Sequence, residues 1–133
     1  MNTVTASAVP AKRRMGTLPK HFGSHMMRVE NAIYTWMDAH AAGYTGGFWK
    51  FSELSNGGFF MSPDTDERFV ISIPSNGYEG EMSAEAAGIT ACLFIFSALS
   101  FDTSDERISD HYHWLREFAR THPDWSAIGG ATD

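Results

Sequence analysis

The sequence has very little cysteine, which limits both its structure and its chemistry. Cys92 is the only cysteine among 133 residues, so no disulfide can form within the chain, and a reducing compartment is the simplest location. Because Cys92 lies in an apolar run, we expect a buried side chain and not a reactive thiolate. The sequence also lacks CxxC, HExxH and GxSxG patterns. It therefore predicts no metal site, no cofactor and no covalent catalysis.

Long apolar segments are missing as well. No uninterrupted apolar run approaches the roughly 20 residues that cross a bilayer. Near the N-terminus the apolar residues precede the basic cluster Lys12-Arg13-Arg14, which is the reverse of the order in a secretory signal. We therefore expect a soluble, cytoplasmic protein that does not associate with membranes.

Acidic residues are absent from the first 29 positions. This segment carries five basic side chains and a charge of +5, whereas the remainder carries five basic and sixteen acidic side chains and a charge of -11. The five are Lys12, Arg13, Arg14, Lys20 and Arg28. An acidic body repels phosphate at long range, so specific DNA binding is not expected, although the basic segment alone could touch phosphates.

The first 20 residues show no hydrophobic periodicity. Pro10, Gly16 and Pro19 interrupt any helix that begins there. We therefore interpret residues 1–20 as a flexible basic tail and residues 21–133 as a single domain.

Three helices are predicted from apolar spacing and capping residues. The first begins at Met26 and ends near Gly43, which suits a left-handed cap. Ser83 caps the second, and this helix is apolar nearly all round to Leu99, so it should form the buried centre of the core. Ser104 caps the third, which is amphipathic. A short helical turn at 123–128 and a glycine-rich tail end the chain.

Residues between Gly43 and Met82 predict an antiparallel β-meander. Phe48–Leu54 and Phe59–Met61 are joined by a glycine-containing turn and form the first hairpin. Arg68–Ile73 alternates apolar and polar residues and begins the second hairpin. The sequence predicts a single α+β domain, with a three- to four-stranded meander, a buried central helix and flanking amphipathic helices.

The turn at Asn76-Gly77 sets the expected register of the second hairpin. A two-residue turn there places Ile73 opposite Gly80 and Ile71 opposite Met82. The intervening residues Glu79 and Glu81 then share the other face of the sheet.

Exposed acids and aromatic side chains are the candidate contacts with a partner. Acids in a turn or on an outward strand face are usually solvated, and aromatic residues in a hairpin are usually core. With those alternatives open, the candidate partner-binding residues are Asp64, Asp66, Glu67, Glu79, Glu81, Trp49 and Phe60. His111 and His113 are two positions apart on a helix and point in different directions, so they cannot chelate one ion together.

Two segments carry a resemblance to a known family. The run Gly46–Pro63 contains Leu54-Ser55-Asn56-Gly57-Gly58-Phe59, and the second segment is Gly80–Ile89. Both resemble the ArdB and KlcA antirestriction proteins. Further matches are Leu18-Pro19, His21-Phe22-Gly23, Tyr34, Trp36-Met37 and His111–Arg116. The resemblance covers about residues 18–128 and leaves both termini unmatched.

The resemblance implies an inhibitor of type I restriction enzymes that protects incoming plasmid or phage DNA without catalysis. Its implied partner is the type I restriction-modification complex, contacted directly or indirectly, and we expect a monomer or weak dimer. Sixteen acids interspersed with five bases lack the dense, regular charge of a DNA mimic. Two alternatives remain open. One is an acidic DNA mimic that blocks the DNA-binding subunit, and the other is a hydrolase acting on nucleic acid or nucleotide.

Overall fold

A computed structural model describes residues 3–133 and shows strands and helices along most of this range. The strands are β1 (Ala6–Ala8), β2 (Ala41–Ala42), β3 (Trp49–Leu54), β4 (Phe59–Pro63), β5 (Arg68–Ile73) and β6 (Tyr78–Ser83). The helices are α1 (Arg14–Phe22), α2 (Met26–His40), α3 (Ala84–Thr103), α4 (Glu106–Ala119) and α5 (Trp125–Thr132).

Helix α3 is the centre of the core, as its all-round apolar sequence predicts. It packs against α2, α4, α5 and β4. The Ser83 hydroxyl accepts a hydrogen bond from the Ala86 amide at 3.1 Å, which confirms the predicted cap. The expectation about long apolar runs is wrong in one respect, because α3 has 20 residues and includes an 18-residue window with a mean hydropathy of 1.7, which is long and apolar enough to cross a membrane. Since 61% of that window is buried inside the fold, α3 is accounted for as a core helix.

The strands form two antiparallel sheets, with the orders β1-β3-β4 and β2-β5-β6. The single α+β domain with a buried central helix is therefore confirmed, but the predicted meander is divided into two hairpins. Strand β5 already has β2 on one side, with Ala41 opposite Ile71, and β6 on the other. Both edges of β5 are occupied, so β4 has no edge of β5 with which to pair.

The second hairpin has a different register from the one predicted. Ile71 lies opposite Gly80, and Phe69 lies opposite Met82. The turn uses four residues, 74–77, and the Gly77 amide closes it by donating to the Ile73 carbonyl at 3.0 Å. A shift of two residues keeps every side chain on its predicted face, so Glu79 and Glu81 still face outward.

An asparagine in each hairpin turn ties that turn to a helix. The Asn56 amide nitrogen donates to the Trp114 carbonyl at 3.0 Å, which joins the first turn to α4. The Asn76 amide nitrogen donates to the Ala131 carbonyl at 2.8 Å, which joins the second turn to α5. These asparagines therefore fix the positions of both hairpins and not only the shapes of their turns.

The expected flexible tail is wrong for its described part, residues 3–20; Met1 and Asn2 lie outside the described residues. Strand β1 pairs with β3, and the Val9 amide donates to the Phe51 carbonyl at 2.8 Å. Helix α1 continues through Pro19 and buries Leu18 and Phe22 in the core. Burial of these two side chains stabilises a short helix that local propensity alone does not favour.

The chain's last two helices also differ from the prediction. Asp105, and not Ser104, caps α4, with its carboxylate accepting from the Arg107 amide at 2.9 Å. The expected glycine-rich tail is wrong, because α5 continues through both glycines and buries Ile128 and Ala131. A Cβ at Gly130 would lie 3.0 Å from the Tyr78 ring, so glycine here allows α5 to approach β6 closely.

Candidate interaction surfaces

Three of the predicted acids, Asp64, Asp66 and Glu67, lie together in the β4–β5 turn, which we call the acidic tip. All three are exposed, and within residues 3–133 none forms an ion pair. A cleft of about 180 Å³ separates part of this tip from the glycine-rich loop after β2. The Asp64 amide donates to the Phe48 carbonyl at 2.8 Å, and the Phe48 side chain beside it is 90% exposed. The acidic tip is therefore an exposed surface that combines charge with one aromatic ring.

The other two predicted acids, Glu79 and Glu81, lie on the outward face of β6 and are bound by neighbours on β5. Glu81 accepts from the Arg68 guanidinium at 2.8 Å, and Glu79 accepts from the Ser72 hydroxyl at 3.1 Å. Arg68 neutralises part of this face, so it is less acidic than the tip.

The predicted aromatic contacts, Trp49 and Phe60, are corrected by the structure because both belong to the core. Trp49 is 6% exposed, and its ring nitrogen donates to the Tyr44 hydroxyl at 2.9 Å. Phe60 is fully buried and stacks on Phe118 at 5.7 Å between ring centroids. Neither ring is available to a partner on the folded surface.

A second surface, which sequence reasoning missed, lies where α1 meets the end of β3. A cavity of about 350 Å³, which we call the basic cavity, is lined by Lys12, Arg13, Gly16, Thr17, Lys20 and Glu53. Glu53 lies 2.9 Å from the Lys20 ammonium, 2.6 Å from His21 Nε2 and 3.6 Å from the Arg13 guanidinium. The hydrogen bond from Lys20, and then that from His21, lowers the pKa of Glu53. The interpretation of residues 1–20 as a tail hid this site.

Behind the basic cavity, two histidine rings meet edge to face, with 4.9 Å between the centroids of His21 and His111. His111 is 2% exposed, and its Nδ1 has no hydrogen-bond partner in the described part of the chain. Burial, followed by the charges of His21 and Arg107, lowers the pKa of His111 to about 4. Burial also lowers the pKa of His21 and outweighs the opposite effect of Glu53. Both imidazoles are thus held neutral at pH 7.

The chemistry available elsewhere is limited. Cys92 is fully buried, as predicted, and burial raises the pKa of its thiol to about 12. Among residues 3–133 no group of three or more His, Cys, Asp or Glu side chains is arranged to hold a metal ion. The described surfaces are therefore suited to binding through charge and apolar contact.

Comparisons with known proteins relate the whole chain to one group. The sequence pattern of a family described as antirestriction protein matches residues 42–133. Antirestriction protein KlcA from Escherichia coli is 42% identical, with 100% of both chains covered. The uncharacterized protein YafX from Escherichia coli K12 is also 42% identical, covering 94% of this chain and 85% of YafX.

A solved structure extends this likeness to three dimensions. It has a TM-score of 0.91 and 43% identity, and it covers 100% of both chains. That structure belongs to work on KlcA and ArdB, proteins described as having a novel fold and antirestriction activity against type I DNA restriction systems in vivo but not in vitro. The likeness includes the N-terminal 41 residues, which lie outside the family match.

Proposed function

The chain belongs to the antirestriction protein family, and from this we infer that it protects incoming plasmid or phage DNA from type I restriction enzymes. The observation that carries the proposal is the full-length structural likeness, with a TM-score of 0.91, to proteins that have this activity in vivo. In this proposal the chain acts in the cytoplasm on the restriction-modification complex, directly or through another component of the cell.

We further propose that protection is non-catalytic and does not use DNA mimicry. The similar proteins act in vivo but not in vitro, whereas a mimic that occupied the DNA-binding subunit would also inhibit the purified enzyme. Duplex DNA presents one charge about every 1.7 Å of its axis. Here the exposed acids are divided between the acidic tip, the outward face of β6 that Arg68 partly neutralises, and separate positions on helices such as Asp38 and Asp110. This arrangement supports an inhibitor that does not copy the phosphate backbone.

Direct DNA mimicry is the second candidate, favoured by the net charge of -6 and by the unpaired acidic tip. A purified methyltransferase assay separates the two mechanisms. A mimic competes stoichiometrically with duplex DNA, and rising salt weakens that competition. Under our proposal the purified chain leaves methylation unchanged while cells that express it are protected.

Phage plating on restricting and non-restricting hosts tests the proposed function. Expression of the chain is expected to raise plating of unmodified phage on the type I restricting host towards the level on the non-restricting host. Empty vector is the control for restriction itself, and prior modification of the phage is the control for host sensitivity. If the chain accumulates as a folded protein and plating does not rise, the proposal is wrong.

We also propose that the acidic tip contributes to partner recognition. The triple variant Asp64→Asn, Asp66→Asn, Glu67→Gln is expected to reduce protection in the plating assay. Its stability is expected to change by no more than about 0.5 kcal/mol, because these side chains form no ion pairs with any residue from 3 to 133. The matched control removes three exposed acids elsewhere, Asp38→Asn, Glu106→Gln and Asp110→Asn. If the two variants protect equally well, the acidic tip is not part of the surface that contacts the partner.

A further inference from the structure

The basic cavity is a locally positive site on an otherwise acidic protein. Lys12, Arg13 and Lys20 surround it, and Glu53 is its single acidic side chain. His21, which binds Glu53 from behind, has a lowered pKa and adds no positive charge at pH 7. Lys12 forms no ion pair within the described range, so its charge is available to a ligand. An anionic group is the ligand that this combination favours.

The cavity is also preformed. Burial of Leu18 and Phe22 holds α1 against the core, and the Thr17 hydroxyl donates to the Arg13 carbonyl at 2.8 Å. Glu53 is fixed by His21 at 2.6 Å on the cavity wall. Apart from the adjacent residues and the backbone of α1 itself, no atom lies within 4 Å of the position that a Gly16 Cβ would take. Gly16 therefore leaves the cavity open, and a ligand meets side chains already held in place.

An apolar residue lies beside the charged ones. Met15 does not line the cavity, but it lies three residues after Lys12 in the same helical segment, on the neighbouring turn, and is 93% exposed. A ligand that carried both carboxylates and apolar side chains would bind the cations and cover the Met15 side chain. A nucleic-acid backbone offers phosphates without apolar groups, and its dense charge is repelled more strongly by the body of charge -11. Charge and apolar exposure together favour a protein ligand.

We propose that the basic cavity binds an acidic segment of a partner protein in which carboxylate and apolar side chains alternate. One carboxylate pairs with Lys12, and another competes with Glu53 for Lys20 and Arg13. This inference goes beyond the proposed function, because it concerns binding by the purified chain alone and requires no restriction enzyme. Its outcome is therefore separate from the outcome of the plating assay.

Fluorescence anisotropy with the purified full chain tests the charge requirement. The probe is a short labelled peptide in which Asp and Glu alternate with Leu, and the reference peptide carries Asn and Gln instead. Lys12→Glu is expected to weaken binding of the acidic probe roughly fivefold, the upper range for one exposed ion pair. Arg120→Glu makes the same change of charge at an exposed position outside the cavity and is expected to have little effect. Equal binding of both peptides, or equal effects of both variants, would overturn the proposal.

A steric variant separates binding in the cavity from general attraction to basic residues. Gly16→Leu places an uncharged side chain in the open space and is expected to weaken the probe about tenfold or more. The fold should tolerate this change, because leucine favours a helix and its Cβ enters open space on an exposed side of α1. Thermal unfolding confirms that the variant is folded. If folded Gly16→Leu binds the probe as tightly as wild type does, the ligand does not occupy the cavity. If wild type binds duplex DNA more tightly than the acidic peptide, and Gly16→Leu weakens that binding, the ligand is a nucleic acid and not a protein segment.

Discussion

Gly88→Ala is expected to destabilise the protein by about 2–3 kcal/mol, which is within the usual cost of overpacking a core. Gly88 lies near the start of α3, directly against β4. A Cβ on Gly88 would lie 2.5 Å from the Met61 carbonyl oxygen and 2.5 Å from the Ser62 Cβ. Both contacts are with a strand in which every residue is buried. The helix therefore has to move away from the sheet to accept a single methyl group.

Helix propensity acts against this cost but does not cancel it. Alanine in a helix is favoured over glycine by about 1 kcal/mol. The atoms that the new methyl group would meet are backbone and Cβ atoms of β4, which cannot rotate away as the end of a flexible side chain can. A larger side chain increases the displacement, and Gly88→Val should therefore be less stable than Gly88→Ala.

Gly16→Ala is the matched control for this prediction. It makes the same chemical change inside a helix, but no atom lies within 4 Å of the new Cβ. It should stabilise the protein by about 0.5–1 kcal/mol through helix propensity alone. Chemical denaturation of the two variants measures both effects. If both substitutions changed the free energy of unfolding in the same direction, the close contact between α3 and β4 would be contradicted.

Between Met26 and Leu99, local patterns were sufficient to predict two helices and four strands, but not β2, because the first helix was expected to continue to about Gly43 and α2 ends at His40. An apolar stripe marks α2, the Ser83 cap and a continuous apolar sequence mark α3, and alternation marks the faces of β5 and β6, because these signals depend on residues close in sequence. The register of β5 with β6 depends on the number of residues in the turn before Tyr78. Asn76-Gly77 is compatible with more than one turn length, so the sequence did not determine that register. The pairings of β3 with β1 and of β5 with β2 join distant segments, and neither has a local signal.

The same limit explains which surfaces were predicted. Exposure of Asp64 and Glu81 follows from the polarity of a turn and of an outward strand face. Burial of Trp49 and Phe60 depends instead on which other segments cover the hairpin: the Trp49 ring packs against Tyr34 and Tyr44, and Phe60 packs against Phe118 of α4. The basic cavity required the non-periodic residues before His21 to fold against β3, and only tertiary contacts specify that arrangement.

His111 is expected to make the folded protein lose stability as the pH falls from about 6.5 to about 4. Its pKa is lowered from 6.5 to about 4, so the unfolded chain binds a proton more readily than the folded chain does. Above pH 6.5 the histidine is neutral in both states and contributes no pH dependence. Below that value protonation favours the unfolded state; the loss is about 3 kcal/mol at pH 4 and levels off only at lower pH.

The variant His111→Phe isolates this effect from the other groups that titrate in acid. Glu53, Glu85 and Asp105 have lowered pKa values and also cost stability as the pH falls, but they are common to both proteins. A phenyl ring suits the site, because His111 contacts Phe22 at 4.7 Å and Phe96 at 5.9 Å between ring centroids. Any packing change that phenylalanine introduces is independent of pH.

The measurement is therefore the difference in unfolding free energy between wild type and His111→Phe across this range of pH. We expect the variant to gain about 3 kcal/mol relative to wild type between pH 7 and pH 4. His113→Phe, on the same helix but exposed, is the control and should show no comparable change. A difference that stays constant with pH would mean that His111 is solvated or paired when protonated. Burial of the unpartnered Nδ1 among aromatic rings outweighs the opposite effect of a hydrogen bond to the His21 backbone, so protonation should favour the unfolded chain.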